Sequence, residues 1–388
     1  MQQSTVVKQV DFLYFDAGGG HRAAANALKQ VVEQQRRPFE IRLVNLQEKL
    51  DSLDVFRKIT GLRLEDVYNT MLKKGWTLGS PQLTVGMHFV IRMFHSQQVR
   101  VLEAFWRESR PDMVVSLVPN FNRALCQSLA RTLPGVPLVT IITDLADYPP
   151  HFWLEPYDQH VVCGTAKAVE QARVMGIAAE KVHRVSGMIL NPKFYEIEPP
   201  LSAEERSRAR AGLGFDPSRP VGLVMFGGEG SAVMEAIARR LDNRQLLPIC
   251  GRNEKLRAKL KALAHGAPMF VEGFTRDIPR YMQLADYFIG KPGPGSISEA
   301  VHMGLPVIVE RNAWTLPQER YNADWILEQG VGIVLKNFRG VAGAVDRLLE
   351  PAAYGRFREA AGKLRNSAVF EIAEILERIT SPESVRRT

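Results

Sequence analysis

A histidine stands at the mouth of a glycine-rich turn, Asp16-Ala17-Gly18-Gly19-Gly20-His21-Arg22, where an apolar run ends and an alanine-rich helical pattern begins. Glycines in such a place permit positive φ and let a ligand approach the backbone closely. The helix that follows offers unpaired N–H groups and the positive end of its dipole. A neutral imidazole there can take a proton from a hydroxyl at physiological pH; the plainer alternative is a histidine that only caps the helix. The run matches neither a phosphate loop ending in GK[ST] nor a GxGxxG dinucleotide fingerprint.

The second half of the chain repeats the device without the histidine, as Phe226-Gly227-Gly228-Glu229-Gly230-Ser231. Backbone N–H groups in such a turn can hold phosphate oxygens, or the turn can simply be tight. The most informative stretch is Lys291-Pro292-Gly293-Pro294-Gly295-Ser296-Ile297-Ser298-Glu299-Ala300. Gly293 and Gly295 open the backbone, and Ser296 is expected to start a helix whose N-terminus can face a pyrophosphate. Ser296 and Glu299 also satisfy the S-x-x-E capping-box pattern. Glu299 is therefore either a cap or a carboxylate free to hold two ribose hydroxyls. Further on, Leu316-Pro317-Gln318-Glu319 brings an amide and a carboxylate to a helix start, where they suit sugar hydroxyls or merely line a polar helix end.

These residues need a scaffold, and the apolar pattern supplies one. Short apolar runs alternate with longer helical patterns, the mark of parallel α/β architecture. Strands are expected at Val10–Phe15, Ile41–Leu46, Met113–Val118, Val136–Thr143, His160–Cys163 and Val182–Val185. A second series runs through Val221–Phe226, Leu246–Cys250, Met269–Val271, Tyr287–Ile289, Val307–Val309 and Gly332–Leu335. Helices are expected at Arg22–Gln35, Thr165–Met175, Glu254–Ala264, Ile297–Met303 and Glu319–Glu328. Two doubly wound lobes follow, residues 1–197 and 201–388. The Glu-Pro-Pro stretch at 198–200 and the polar 202–219 segment mark the link between them, and the last helices are placed back on the first lobe. Residues 52–110 interrupt the pattern with helix formers, in which Lys73, Lys74 and Trp76 form a basic-aromatic cluster suited to lipid head groups. An ordinary helical insertion that joins the core is the alternative.

Length and composition agree with a two-domain globular protein of 388 residues. The net charge of +8 is spread evenly, 23 basic against 19 acidic residues in 1–196 and 27 against 23 afterwards, unlike the concentrated patch of many nucleic-acid binders. Three widely spaced cysteines suggest neither a disulfide framework nor a CxxC metal site, and fit a reducing cytosol. No signal peptide is visible, and the longest apolar stretch, Leu83–Phe94, is broken by Arg92 well short of a membrane span.

Taken in order and spacing, the chain resembles the monogalactosyldiacylglycerol synthases and related processive diacylglycerol glucosyltransferases. It is more distantly similar to the enzyme that adds N-acetylglucosamine to lipid I. The resemblance covers about residues 10–340 and rests on the Gly-Gly-Gly-His-Arg turn, Thr143-Asp144-Leu145, Gly227-Gly228-Glu229-Gly230, Cys250-Gly251-Arg252-Asn253 and Gly273-Phe274. It continues through Lys291-Pro292-Gly293-Pro294-Gly295-Ser296, Glu299, Gly304-Leu305-Pro306 and Pro317-Gln318-Glu319. It implies a GT-B fold, two Rossmann-like doubly wound domains facing a central cleft. The implied activity is inverting transfer of a hexose from UDP-galactose or UDP-glucose to a lipid hydroxyl, diacylglycerol first, with no cofactor and no catalytic metal.

Carried over by position, His21 resembles the acceptor-deprotonating base, with Gly19 and Gly20 beside the acceptor. Glu299 would hold the uridine ribose, Gly293, Gly295 and Ser296 the diphosphate, and Gly228 would be a donor-binding residue. Gln318 and Glu319 would contact the donor sugar, Phe274 would lie near uracil, and Arg252 would be a further donor contact. The sequence departs from the plant pattern after Asp144, where it reads Ala146-Asp147-Tyr148-Pro149-Pro150-His151-Phe152-Trp153. Pro149 takes the usual histidine place and His151 is displaced, so Asp144 and His151 stand as acceptor contacts or alternative bases. The glycine usual between proline and glutamine is also missing from Leu316-Pro317-Gln318-Glu319. An anionic membrane surface, met peripherally from the cytoplasmic side, and no nucleic acid complete the expected partners. Competing readings keep the fold but change the acceptor to another lipid or a soluble molecule, turn the protein into a non-catalytic nucleotide-sugar binder, or make it an epimerase.

Overall fold

The computed structural model describes residues 7–16, 19–50, 91–196 and 200–381. They form two units. Among the described residues, the first takes the chain up to Pro192 and again from Asn366, and the second takes Lys193–Arg365. Each is built on one parallel sheet.

The first sheet has the order β2-β1-β3-β4-β5-β6. Its strands are β1 (Lys8–Tyr14), β2 (Phe39–Asn45), β3 (Met113–Ser116), β4 (Leu138–Ile141), β5 (His160–Cys163) and β6 (Val182–Arg184). Strands β3 and β4 are buried along their whole length, as expected when helices cover both faces of a parallel sheet. Strand order reverses between β1 and β3, whose ends are level, Leu13 lying opposite Ser116. Ligands in open α/β sheets bind at such a switch point, beyond the carboxyl ends of the strands. The turn carrying His21 leaves β1 there.

The second sheet has the order β11-β10-β9-β7-β8. It comprises β7 (Val221–Met225), β8 (Gln245–Ile249), β9 (Tyr287–Gly290), β10 (Val307–Glu310) and β11 (Gly332–Leu335). Its reversal lies between β7 and β9, where Met225 is level with Gly290. The next residues along each strand open the Gly227 turn and the Lys291 turn. The fold thus places both glycine turns of this half at one switch point.

Four sequence expectations change. Met269–Val271 is not a strand; the segment touches β8 only through bridges from Leu246 to Met269 and from Ile249 to Glu272. The polar 202–219 segment is not a bare link but contains a helix, Ala203–Gly212, with a complete Ser202–Glu205 capping box. On that helix, Arg206 and Arg210 grip the two oxygens of Asp286 at 2.9 and 2.5 Å, and Asp286 also accepts the Val221 N–H that opens β7. The helix expected at Ile297–Met303 begins three residues earlier, at Pro294, with Gly293 as its N-cap. Proline tolerates the first helical turn because its missing N–H would be unpaired there in any case. Finally, the second unit stops at Arg365 rather than running to 388.

The helix Ala368–Thr380 belongs to the first unit, where it lies against the Gly20–Gln34 helix. Asn366 donates to the Met188 carbonyl at 2.9 Å, the hydroxyl of Ser186 bonds to Glu371, and Arg37 pairs with Glu377. Of the 52–110 insertion, residues 52–90 lie outside the described residues, and with them Lys73, Lys74 and Trp76. Its last helix, His95–Ser109, buries Val99, Leu102 and Trp106 in the core. No described helix is long and apolar enough to cross a membrane.

Candidate active site

The turn after β1 presents His21 in the second position of the Gly20–Gln34 helix. Gly19 caps that helix with φ 78°, a left-handed conformation that favours glycine. Neither Gly19 nor Gly20 has another atom within 4 Å of where a Cβ would stand, so the turn leaves open space beside the imidazole. The ring is part-buried. Its Nδ1 lies 3.1 Å from Thr143 Oγ1, just past the end of β4. Burial pushes the imidazole down to about 4, a hydrogen bond to the Leu117 backbone pulling weakly the other way. His21 is therefore neutral throughout the physiological range.

A buried indole sets its position. Trp153 has no exposed surface, and its ring centroid lies 5.8 Å from that of His21. Asp144, 7% exposed, accepts the Trp153 Nε1–H at 2.8 Å. Asp147 accepts the backbone N–H of Trp153 at 2.6 Å and that of His151 at 3.1 Å. Burial raises the Asp147 carboxyl to about 6 despite these bonds. The 144–153 segment that departs from the plant pattern is thus a folded support for the His21 ring. His151 itself turns away from this support: its Nδ1 lies 3.6 Å from Glu155, and both line a cavity of about 150 Å³ with Arg92, His95, Arg123 and Gln98. The structure brings Gly19, Gly20 and His21 together, sets Asp144 under Trp153, and places His151 in the neighbouring basic cavity.

The second unit gathers the remaining residues around its own switch point. The Gly228 carbonyl accepts the Arg252 N–H at 2.8 Å, locking the turn after β7 to the turn after β8. That approach leaves no room for a side chain at Gly251, where a Cβ would fall 2.1 Å from the Gly228 oxygen. The Arg252 guanidinium lies 4.6 Å over the Phe274 ring, and Phe274 is 51% exposed. One ring face is thereby taken by a cation while the residue as a whole stays open to solvent, a platform suited to a planar base.

After β9, Gly293, Gly295 and Ser296 fall at the N-cap, second and third positions of the Pro294–His302 helix. No side chain caps this helix and its first turn holds no acid. The capping box written in Ser296 and Glu299 is not formed, because the helix starts upstream of both. No atom lies within 4 Å of a Cβ added at Gly295, which leaves the first turn accessible. Glu299 is part-buried, and desolvation lifts its carboxyl to about 7. No described residue donates a hydrogen bond to its carboxylate. A partly desolvated carboxylate that no neighbouring side chain engages is suited to accept from hydroxyl donors.

Gln318 and Glu319 lie in the short 3-10 helix Pro317–Glu319. Glu319 is buried, and its Oε1 accepts from Lys291 Nζ at 2.8 Å. Next to this strut, fully buried Asn322 donates to the Pro292 carbonyl at 2.7 Å. Two bonds therefore tie the loops after β9 and β10 together. Lys291, Asn322, Thr143 and Trp153 carry no role in the sequence expectations. Lys291 alone had a local signal, a lysine between a buried strand and a glycine turn. Among the described residues, no group of three or more His, Cys, Asp or Glu is placed to hold a metal ion.

Comparison with known proteins bears on both units. The model of the monogalactosyldiacylglycerol (MGDG) synthase family matches residues 21–188, and that of the glycosyltransferase family 28 C-terminal domain matches residues 224–353. The chain is 30% identical to the monogalactosyldiacylglycerol synthase of Spinacia oleracea, over 96% of this chain and 72% of that one. Among solved structures, MurG of Acinetobacter baumannii superimposes with a TM-score of 0.57 at 13% identity, covering 96% of this chain and 99% of its own. The UDP-GlcNAc 2-epimerase of Neisseria meningitidis gives 0.55 at 13%, covering 98% and 100%. These likenesses establish the GT-B fold, which a transferase and an epimerase share, so fold alone does not select the chemistry. The sequence relationship does: this chain belongs to the monogalactosyldiacylglycerol synthase family of glycosyltransferases.

Proposed function

We propose that the protein transfers a hexose, galactose or glucose, from a UDP-sugar to a lipid hydroxyl, with diacylglycerol as acceptor. The observation that carries this reading is the part-buried, neutral His21, held by Thr143 at an open glycine turn. The acceptor oxygen attacks the anomeric carbon on the face opposite the diphosphate. As that bond forms, the bond from carbon to the diphosphate oxygen breaks, and UDP leaves with the electron pair. The hydroxyl proton passes to His21. A hydroxyl bonding to a cationic carbon becomes strongly acidic, so an imidazole of low basicity suffices, provided it is unprotonated and in place.

In the second unit, Phe274 and Arg252 would receive the uracil, and Glu299 the ribose hydroxyls. Gly228, Gly293, Gly295 and Ser296 would present N–H groups to the diphosphate, and Gln318 and Glu319 would meet the sugar. Charge building on the leaving group is then answered by fixed dipoles and an uncapped helix N-terminus, without need of a metal. The acceptor is drawn from a membrane surface met peripherally from its cytoplasmic face. Met93, 57% exposed, and exposed Tyr148 each lie within three residues of a lining residue of the basic cavity, Arg92 and His151 respectively. Apolar tips beside cations suit an anionic lipid surface.

Incubation of the purified protein with UDP-glucose or UDP-galactose and a panel of lipids, with products identified by mass spectrometry, tests the reading. A monohexosyl lipid that disappears in His21→Ala is expected. Hexose transfer to a soluble acceptor with no lipid product would overturn the lipid assignment.

A further inference from the structure

Lys291 is the first residue after β9, and its ammonium is held by a carboxylate of the next loop, 2.8 Å from Glu319 Oε1. The lysine side chain is 36% exposed and that of Glu319 10%. The end of the lysine lies where two glycine turns meet. A Cβ added at Gly227 would come 3.8 Å from Lys291 Cε, and one added at Gly293 would lie 3.3 Å from Cε and 3.8 Å from Nζ. The same Cβ at Gly293 would lie 3.7 Å from Glu319 Oε1, so the pair sits directly beside this turn. A cation thus stands between the two turns assigned to the diphosphate, occupied by the carboxylate assigned to the sugar.

We propose that Lys291 is a donor-site residue that exchanges partners, leaving Glu319 for the diphosphate when the donor binds and so freeing the Glu319 carboxylate for the sugar hydroxyls. The inference rests on the donor reading given above and adds a coupling to it. A diphosphate carries more negative charge than one carboxylate and competes well for the ammonium. A lysine can follow it, because its charge sits on a flexible stem with three rotating donors. Glu319, once released, recovers the lone pairs it had given to Lys291. Sugar recognition then depends on the diphosphate: a free hexose meets a carboxylate already engaged, whereas a nucleotide sugar brings the group that releases it. The same ammonium, moved to the leaving group, offsets the charge that builds there as the glycosidic bond breaks.

The exchange predicts effects of opposite sign, read by calorimetric titration of the full chain with UDP and with UDP-glucose or UDP-galactose. Lys291→Met weakens UDP roughly tenfold or more, the usual cost of a lost charge-assisted hydrogen bond, and Lys291→Arg retains most of the affinity. Glu319→Gln tightens UDP by roughly threefold to tenfold, because Lys291 no longer has a competing partner, yet removes the extra affinity contributed by the sugar. In the Lys291→Met background, Glu319→Gln leaves UDP affinity unchanged within about twofold, as a double-mutant cycle requires if the carboxylate acts through the lysine. Melting curves confirm that each variant is folded. Tightening of UDP by Glu319→Gln that persists without Lys291 reflects the general field of the carboxylate and overturns the exchange, as does a Lys291→Met protein that binds UDP like the parent. In both cases the donor reading stands. A parent protein that binds neither UDP nor a UDP-sugar overturns the donor reading and this inference with it.

Discussion

The Nδ1 of His21 lies 3.1 Å from the hydroxyl of Thr143, joining residues 122 positions apart across the first sheet. The contact fixes the imidazole at one nitrogen, while Trp153 bounds the ring on another side. Removal of the ring should therefore differ in kind from removal of its support. His21→Ala is expected to lower kcat for lipid glycosylation by roughly 10²–10⁴-fold, the usual range for a lost general base, with little change in donor KM. Thr143→Val, which keeps the volume but not the hydroxyl, should cost clearly less in kcat and should not alter the melting temperature greatly. Steady-state kinetics on the two variants check both statements.

The pH dependence of donor use should report Glu299. Its carboxyl is held up to about 7 by desolvation, so below that pH it is largely protonated and loses acceptor capacity for the ribose. Donor KM is expected to fall as pH rises through about 7. Glu299→Gln should raise KM and abolish that dependence. His21, pushed down to about 4, stays neutral over the same range and adds no limb of its own. Rate profiles between pH 5.5 and 8.5 separate the two groups, since a limb unchanged in Glu299→Gln would assign it elsewhere.

The Arg252–Phe274 contact predicts a base-stacking effect without a sugar effect. Phe274→Ala should weaken UDP roughly tenfold or more, in line with stacking lost from a single base, while leaving the relative use of UDP-glucose and UDP-galactose unchanged. Titration with UDP and competition between the two sugars provide the measurements.

Asp286 holds the Ala203–Gly212 helix and the start of β7 at once. Asp286→Ala would leave the Arg210 guanidinium buried without its partner, and breaking a buried pair from one side costs about 3–5 kcal/mol. Urea denaturation should show a loss of that order. A loss under about 1 kcal/mol would mean that the pair is screened like a surface one.

The glycine turns could be located from sequence because their information is local: a buried strand, two or three glycines and a helical pattern in direct succession. The parallel sheets followed from the same runs. What sequence could not supply depends on distance or on competition between local signals. Ser296 and Glu299 spell a capping box, but Pro294 starts the helix ahead of them and leaves Glu299 without a cap to make. The 202–219 segment looks like a solvated link because arginines usually are solvated. Arg206 and Arg210 are instead drawn inward by Asp286, some 80 positions away. Lys291 and Glu319 are 28 positions apart, and nothing in either motif states that the two loops touch. Asp144 and His151 sit in one short segment, yet their side chains part, one beneath Trp153 and the other toward Glu155.

The last helix, Ala368–Thr380, carries a consequence for the genetics of this protein. The chain leaves the first unit after Pro192 and re-enters it at Asn366, so both described ends of the polypeptide lie in the unit that holds His21. Among the described residues, the donor-side unit is an insertion within the other. A premature stop after Arg365 would accordingly spare every residue assigned to the nucleotide sugar. It would instead remove from the unit that carries the base the helix lying against Gly20–Gln34, and with it the bonds from Asn366 to Met188, Ser186 to Glu371 and Arg37 to Glu377. Loss of the residues beyond 365 would be felt in the unit that opens with β1.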